Sequence, residues 1–534
     1  MGKNEFQKIL DKNNKEIINM KKQIKSKDQE IENLKNELEF LRSQILNKNR
    51  KIFGKSSEQV DGNQMSFFNE AEKYNDPKAE EPQIEEIKYK RKKVNNRGKK
   101  DNLADLKRVV IEHKLKDEEA ICEKCGDKLS IIGSKSKELL KYKPAELYVE
   151  EHITYVYACK TCDAKADKAT IISPDTAKTL LHKSMASNEL LAHVITMKYQ
   201  QALPLYRMES YFETLNVNLS RQTLSNWIIN AAIELEDVYN YMKYELLRKD
   251  YIHADETPVK VIDSKGAETK SKHYMWVYVS EDLDSVIIFY DYQKTRSSSC
   301  PVKFLQNFSG YLQTDGYSGY NKVQNSKRIY CLAHIRRKFF EIIENLNDKA
   351  LKKSRAIIGF NYCEQIYNIE KDIREQYNYS DNYYDDRHKI RLEKITPIFK
   401  DFQEYINTEI INALPESALG KALKYAQNSL PYVKTYLTNG MLEVDNNVAE
   451  RAVKPFVIGR KNWLFSNTPK GARSSAIIYS IVETAKANGL VVERYLLYLF
   501  DRLSELENRN SEDLKKFMPW SPDLPDNLYS TLKK

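Results

Sequence analysis

The chain has 534 residues, 30% of them Asp, Glu, Lys or Arg, and a formal net charge of +10. That length exceeds one hydrophobic core and predicts three or more domains, while the positive surplus favours polyanionic partners. With no apolar run of about eighteen residues, and with MGKNEFQKIL lacking the apolar centre of a secretory signal, no membrane span is expected and the protein reads as cytoplasmic.

Residues 6–53 carry a heptad: Leu10, Ile17, Ile24, Ile31, Leu38, Ile45 and Ile52 recur every seventh position. Met20, Leu34 and Leu41 add apolar residues three positions on, and Asn13 and Lys27 sit on the same seam, where polar residues set register and strand number. The pattern predicts a coiled coil (1–53) that makes a homodimer or higher oligomer, or that takes a partner helix; one amphipathic helix packed on its own chain is the alternative. Residues 54–106 read as a linker. Eight of residues 88–100 are Lys or Arg and none is acidic, so Lys90, Arg91, Lys92 and Lys93 are candidate phosphate contacts. Neutralising all eight would give a salt slope of roughly −7; a merely solubilising tail is the alternative.

The odd total of seven cysteines includes two close pairs, CEKC (Cys122, Cys125) and CKTC (Cys159, Cys162). In a reducing compartment such pairs point to metal rather than disulfides. Four thiolates make a closed tetrahedral zinc site that folds its module and does not catalyse, so 107–182 reads as a zinc-ribbon-like module, with a strand hairpin filling the gap between the pairs. Residues 183–247 are helical in pattern. In LSRQTLSNWIINAAIEL, Ser220 is the expected N-cap, Leu224, Trp227, Ile228 and Ala231 share one face, and Arg221 opens the polar front. Helix, turn and polar-fronted helix suggest a helix-turn-helix; an ordinary helical hairpin is the alternative.

Residues 248–333 alternate as strands. YIHADETPVKVID (251–263), HYMWVYVS and SVIIFYDY precede a helix near 297–308, followed by GYLQTDG and RIYCLAH, an order that suggests a ribonuclease-H-like α/β core with its first and fourth strands adjacent. On the first strand His253, Asp255 and Thr257 share one face, and Ala254 and Glu256 the other. Asp255 and Asp315 thus become candidates for one site, because a carboxylate beside buried strands must be paired, hydrogen-bonded or cation-bound. In EVDNNVAERAVKPF, Asp445 is expected to N-cap a short helix that Pro455 ends or kinks. Asn447, Glu450, Arg451 and Lys454 share a face of it. The bland reading of that face is a Glu450–Lys454 ion pair; the sharper one is a carboxylate ringed by cations. Three carboxylates with Mg²⁺ match the two-metal arrangement for phosphoryl transfer.

Together these segments resemble the insertion-sequence-66 family of bacterial DDE transposases. The N-terminal helix with IFGKSSEQ resembles the family's zipper and Phe-Gly-x-x-Ser-Glu motif, and CEKC…YACKTC its zinc module. ALPLYRMESYF and LSRQTLSNWI resemble its central helices. HADETPVKV, LQTDGYSGYN, CLAHIRRKFFE and DNNVAERAVKPFVIGRKNWLFSN resemble its catalytic core, and FMPW its C-terminal tail. The resemblance implies a catalytic triad of Asp255, Asp315 and Glu450 holding two Mg²⁺ (or Mn²⁺) ions. It also implies DNA contacts at Arg451, Lys454, Arg460 and Lys461. Cys331 and His334 match a family Cys-x2-His motif and read here as a core strand end and a polar neighbour of the site.

The expected fold class is multidomain α+β. After the coiled coil, linker, zinc-ribbon-like module and helical DNA-binding region come the first part of a ribonuclease-H-like core (248–340), a helical insertion (341–440), a core helix with the catalytic Glu (441–475) and a helical tail (476–534). The implied partners are double-stranded DNA, as terminal inverted repeats and target, and small accessory proteins of the same element, in the bacterial cytoplasm at the nucleoid. A nuclease of the same fold that never joins, or an inactive zinc and coiled-coil DNA-binding regulator, are the competing functions.

Overall fold

The computed structural model describes residues 20–24, 27, 110, 145–158, 171–175, 178–261, 272–282, 285–344, 346, 348–377, 382–463 and 468–530. Most of the heptad, the basic run with Lys90, Arg91, Lys92 and Lys93, and the four paired cysteines lie outside the described residues. No described helix is long and apolar enough to cross a membrane.

The chain divides into two compact units, one comprising residues 1–58 and 177–529, the other 59–176 and 530–534. In the second unit, β1 (Tyr157–Ala158) pairs antiparallel with β2 (Ile171–Ile172). In sequence these strands flank the second cysteine pair, and most of the gap between the pairs, where a strand hairpin is expected, lies outside the described residues. The β-prone run 145–156 has no strand structure. Its apolar side chains, Val149 and Ile153 among them, are exposed, so no buried face fixes a register for it.

In the first unit, α1 (Asn188–Tyr199), α2 (Leu205–Thr214), α3 (Arg221–Glu234) and α4 (Glu236–Leu246) come first. Ser220 caps α3 as its position predicts, its side chain accepting from the Thr223 N–H at 3.2 Å. The stripe of Leu224, Trp227, Ile228 and Ala231 is buried. A five-stranded sheet follows: β3 (Tyr251–Val259), β4 (His273–Glu281), β5 (Val286–Gln293), then α5 (Ser299–Phe304), β6 (Gly310–Thr314) and β7 (Ser326–Tyr330). Its spatial order is β5-β4-β3-β6-β7, with β3, β4 and β5 antiparallel and β6 and β7 parallel to β3. The sheet is thus mixed, with its first and fourth strands adjacent.

Between the sheet and its last helices stand α6 (Leu332–Ile343), α7 (Asp348–Leu351), α8 (Ala356–Tyr377), α9 (Tyr383–Ile390), α10 (Thr396–Asn412) and α11 (Ala418–Val433); a π-helical turn, Arg391–Ile395, joins α9 to α10. These helices build their own apolar core from residues such as Phe339, Ile366, Phe402 and Leu430, which also takes in Tyr251 and Ile329 of the sheet. The chain returns through α12 (Asn447–Trp463), α13 (Pro469–Ala487), α14 (Val492–Glu505) and α15 (Ser511–Phe517). Helix α13 covers the edge strand β5: the Ser480 hydroxyl accepts from the Tyr290 N–H, Thr484 from Ile288 and the Asn488 side chain from Val286. Polar groups four residues apart on one helix thereby satisfy the strand edge that would otherwise stay open.

Helix α12 corrects the short helix expected from Asp445 and Pro455. It runs seventeen residues, with Pro455 inside it. A proline there loses one ladder bond, but Ala452, Val453, Phe456 and Gly459 bury a continuous face on either side of it. Asp445 accepts from the Asn447 N–H at 3.1 Å, closing a turn one residue ahead of the helix. Asn446 directly precedes the helix.

Candidate active site

Strand register brings the first two acids together. His253 lies level with Gln313 across the parallel β3–β6 pair. Side chains repeat every second residue, so Asp255 and Asp315, each two residues further on, project at the same level and toward the same face. Asp255 accepts from the Glu256 N–H at 2.8 Å, and Asp315 from the Tyr317 N–H at 2.9 Å. Glu256 turns to the opposite face, as strand alternation requires. There it accepts from the Tyr320 hydroxyl at 2.7 Å and pairs with Arg296.

Asn446 fastens the third acid. Its side-chain amide donates to the Ala254 carbonyl at 2.9 Å, its Oδ1 meets His253 Nδ1 at 3.0 Å, and its N–H donates to Cys331 Sγ at 3.2 Å. One buried asparagine thus ties the start of α12 to β3 and to the start of α6. One turn into the helix stands Glu450. The result is a pocket of about 270 Å³ lined by Asp255, Asp315, His334, Arg337, Asn446, Glu450 and Lys454.

The pocket is electrostatically unbalanced toward its acids. Burial pushes the Asp255 carboxyl up to about 7, and Glu256, Asp315 and Glu450 push it the same way against the Glu256 N–H. Among the described residues no ion pair involves Asp255, Asp315 or Glu450, including the anticipated Glu450–Lys454 pair. The His334 Nδ1 is buried without a hydrogen-bond partner. Burial and the neighbouring Arg337 lower its pKa. One donor atom each from Cys331, His334 and Glu450 lie within 4.8 Å of one another. Burial pushes the Cys331 thiol up to about 12, however, so it stays a protonated packing group that accepts the Asn446 N–H. His253, also buried, is held neutral by desolvation, its pKa lowered to about 4.

The cations singled out in the sequence go to different places. Lys454 lines the pocket, whereas Arg451 is exposed and outside its lining. Arg460 is half-buried and donates to Thr257 Oγ1 at 3.2 Å and to the Pro258 carbonyl, clipping α12 to the end of β3. Lys461 is exposed. Arg221 of α3 pairs with Glu209 of α2 at 3.0 Å. Two pocket residues were missed, Asn446 and Arg337. Arg337 stands three residues after His334 on α6, a spacing that puts them on neighbouring positions of one face, and that was the available signal.

Residues 183–474 match the profile of the Transposase IS66 family. Residues 119–163 match the zinc-finger binding domain of transposase IS66, a stretch spanning Cys122, Cys125, Cys159 and Cys162. Residues 41–111 match Transposase C of IS166 homeodomain, and residues 480–520 the IS66 C-terminal element. Similar chains occur in Sinorhizobium fredii (strain NBRC 101917 / NGR234). Uncharacterized protein y4jD is 27% identical over 427 residues, covering 77% of this chain and 79% of the relative. Uncharacterized protein y4qI is 26% identical over 357 residues, 64% of each, and Uncharacterized protein y4hP 24% identical over 437 residues, 78% and 75%.

Proposed function

Because the chain belongs to the IS66 transposase family, we propose that it cuts DNA at transposon ends and joins the freed 3′-hydroxyls to target DNA, using Asp255, Asp315 and Glu450. The observation that carries this reading is the convergence of the three acids on one pocket, two from in-register parallel strands and one from a helix pinned to the first of them. The strand order supports a ribonuclease-H-like core for this part of the chain.

The donor set fits a hard divalent cation. Burial, reinforced by the charges of Glu256, Asp315 and Glu450, pushes the Asp255 carboxyl up to about 7, and oxygen-only donors suit Mg²⁺ or Mn²⁺. Bound there, the ions would polarise the attacking oxygen and offset charge on the leaving one. The chain's own residues supply the rest. Lys454 and Arg337 place positive charge at the pocket for the flanking phosphates, and Asn446 keeps Glu450 in register with β3. Glu256 takes no part, being turned away and paired with Arg296.

In the same reading, Cys122, Cys125, Cys159 and Cys162 hold a structural Zn²⁺. Residues 6–53 self-associate or take a small accessory partner. Arg221 and the basic run Lys90–Lys93 contact DNA backbone, with Arg451 and Lys461 as further contacts. Arg460, engaged by β3, contributes packing first.

The test is strand transfer in vitro, with Mg²⁺ and a labelled duplex carrying a terminal repeat, beside an Asp315→Asn control. Joined products that vanish in the control are expected. Cutting without joining would mean a nuclease, and cutting that survives Asp315→Asn would refute the site.

A further inference from the structure

The segment 439–446, which leads into α12, has no helix or strand of its own, yet it carries Glu450's attachment to the sheet. Its last four residues bind the sheet side. The Glu443 N–H donates to the Tyr251 hydroxyl at 3.0 Å, the Val444 carbonyl accepts from the Leu332 N–H at 3.1 Å, and Asn446 makes the bonds described above. Its first residues are gripped from the other side by two arginines. Arg387 donates to the Gly440 carbonyl at 3.3 Å and to both Glu443 oxygens at 2.8 and 2.9 Å. Arg391 donates to the Asn439 and Gly440 carbonyls, each at 3.3 Å.

Both guanidinium groups are buried, and a single buried carboxylate, Glu370 of α8, holds both, at 3.0 Å to Arg387 and 2.7 Å to Arg391. The fit is tight: a Cβ on Gly440 would stand 1.8 Å from the Tyr384 carbonyl oxygen. Arg391 also opens the π-helical turn, a local widening that recurs at functional sites.

We infer that Arg387 and Arg391 are positioning residues: through Glu370 they make the inserted helices a clamp on segment 439–446, and so hold Glu450 at the pocket. The inference rests on the reading of that pocket as a divalent-cation site. A buried ion network is not needed for stability alone, since apolar residues of similar volume often replace one without loss. What the rigid guanidinium fork supplies is direction, here toward two carbonyls and a carboxylate on a segment with no ladder of its own. Misplacement of a catalytic group by an ångström costs on the order of 100-fold in rate.

The experiment removes the three fully buried charges at once, as Glu370→Met/Arg387→Met/Arg391→Met in the full-length chain, and leaves Glu443 to Arg374. Three readouts are taken: melting temperature, Mn²⁺ binding followed by the electron paramagnetic resonance of free Mn²⁺, and cleavage of a labelled terminal-repeat duplex. The clamp predicts a folded protein with near-normal end binding, Mn²⁺ affinity lowered roughly tenfold, cleavage lowered on the order of 100-fold, and faster amide exchange over residues 442–450. Wild-type Mn²⁺ affinity and exchange in the folded triple variant would overturn it.

Should the variant not fold, exchange in the wild-type protein decides. Segment 439–446 must open together with helices 356–395; opening ahead of them overturns the clamp. The two readings fail separately. A wild-type protein that never cuts DNA refutes the transposase reading and leaves the Mn²⁺ and exchange results to judge the clamp. A triple variant that cuts like wild type refutes the clamp alone.

Discussion

Two clusters of charge lie inside this molecule, and they are built on opposite plans. Around Glu370 every charge is answered: Arg387 and Arg391 each reach its carboxylate within 3.0 Å, and Arg387 also reaches Glu443 at 2.8 Å. Around Asp255 the three acids meet and, among the described residues, none of them is ion-paired; burial first, and then the neighbouring carboxylates, push the Asp255 carboxyl up to about 7. A cluster that satisfies itself is part of the architecture. One that leaves its charges unanswered is shaped for something that arrives with opposite charge. The segment 439–446 joins the two, which is how a closed network comes to serve an open one.

The largest effect belongs to the open cluster. Asp255→Asn, Asp315→Asn and Glu450→Gln should each lower strand cleavage by roughly 10³-fold or more, with terminal-repeat binding by gel shift near wild type. If the comparison holds, none of the three lowers the melting temperature of the metal-free protein, because each relieves repulsion. A large loss of stability in any of them would show that the acids were paired after all.

In the closed cluster the opposite is expected. Arg391→Ala leaves the Glu370 and Glu443 carboxylates to share Arg387, an uncompensated buried charge that should cost about 3–5 kcal/mol, read by urea unfolding. Replacing Glu370, Arg387 and Arg391 together with methionines should cost far less. If the single and triple variants are equally unstable, the network is not the balanced unit described here.

The sign of the pH dependence separates the clusters next. A carboxyl whose folded pKa is raised from 3.8 to about 7 keeps its proton where the unfolded chain has lost it. Its stabilising contribution is therefore complete below about pH 4 and lost as the pH climbs through about 7. In EDTA, Asp255→Asn should thus exceed wild type in stability at pH 8 by roughly 1–3 kcal/mol, and by much less at pH 4. Mg²⁺ should shrink that gap by stabilising only the wild type. Thermal melts at both pH values, with and without Mg²⁺, check it.

These contrasts were only partly legible in the amino-acid sequence. Period-two alternation put Asp255 and Glu256 on opposite faces, a local pattern that pleating enforces, while the adjacency of β3 and β6 was suggested by the order of strands and helix. The Ser220 cap and the buried stripe of α3 were legible because helical spacing is also local. Asn446 was not, because its bonds to Ala254, His253 and Cys331 join residues more than a hundred positions apart. Arg387 of α9 and Arg391 of the π-helical turn were invisible too: in YYDDRHKIRLEK they look like an ordinary solvated face, and only the packing of α8 against the returning segment buries them. Pro455 misled because local propensity ends a helix there, whereas burial on the sheet carries α12 through.

Arg221 offers the smallest effect and a third arrangement of charge. It pairs with Glu209 at 3.0 Å, but two-thirds of its side chain (66%) is exposed, so water screens the pair. Exposed pairs contribute little, and Arg221→Ala should change stability by no more than about 0.5 kcal/mol. If the polar front of α3 lies on DNA, the same substitution should weaken terminal-repeat binding and reduce the salt slope by about one phosphate contact. A salt titration of binding reads this directly. Equal loss on every sequence would mark a phosphate contact, and loss confined to the terminal repeat a base contact. An unchanged slope would leave Arg221 to its partner Glu209 and make this helical pair a packing element, closed like the arginine network rather than open like the acids.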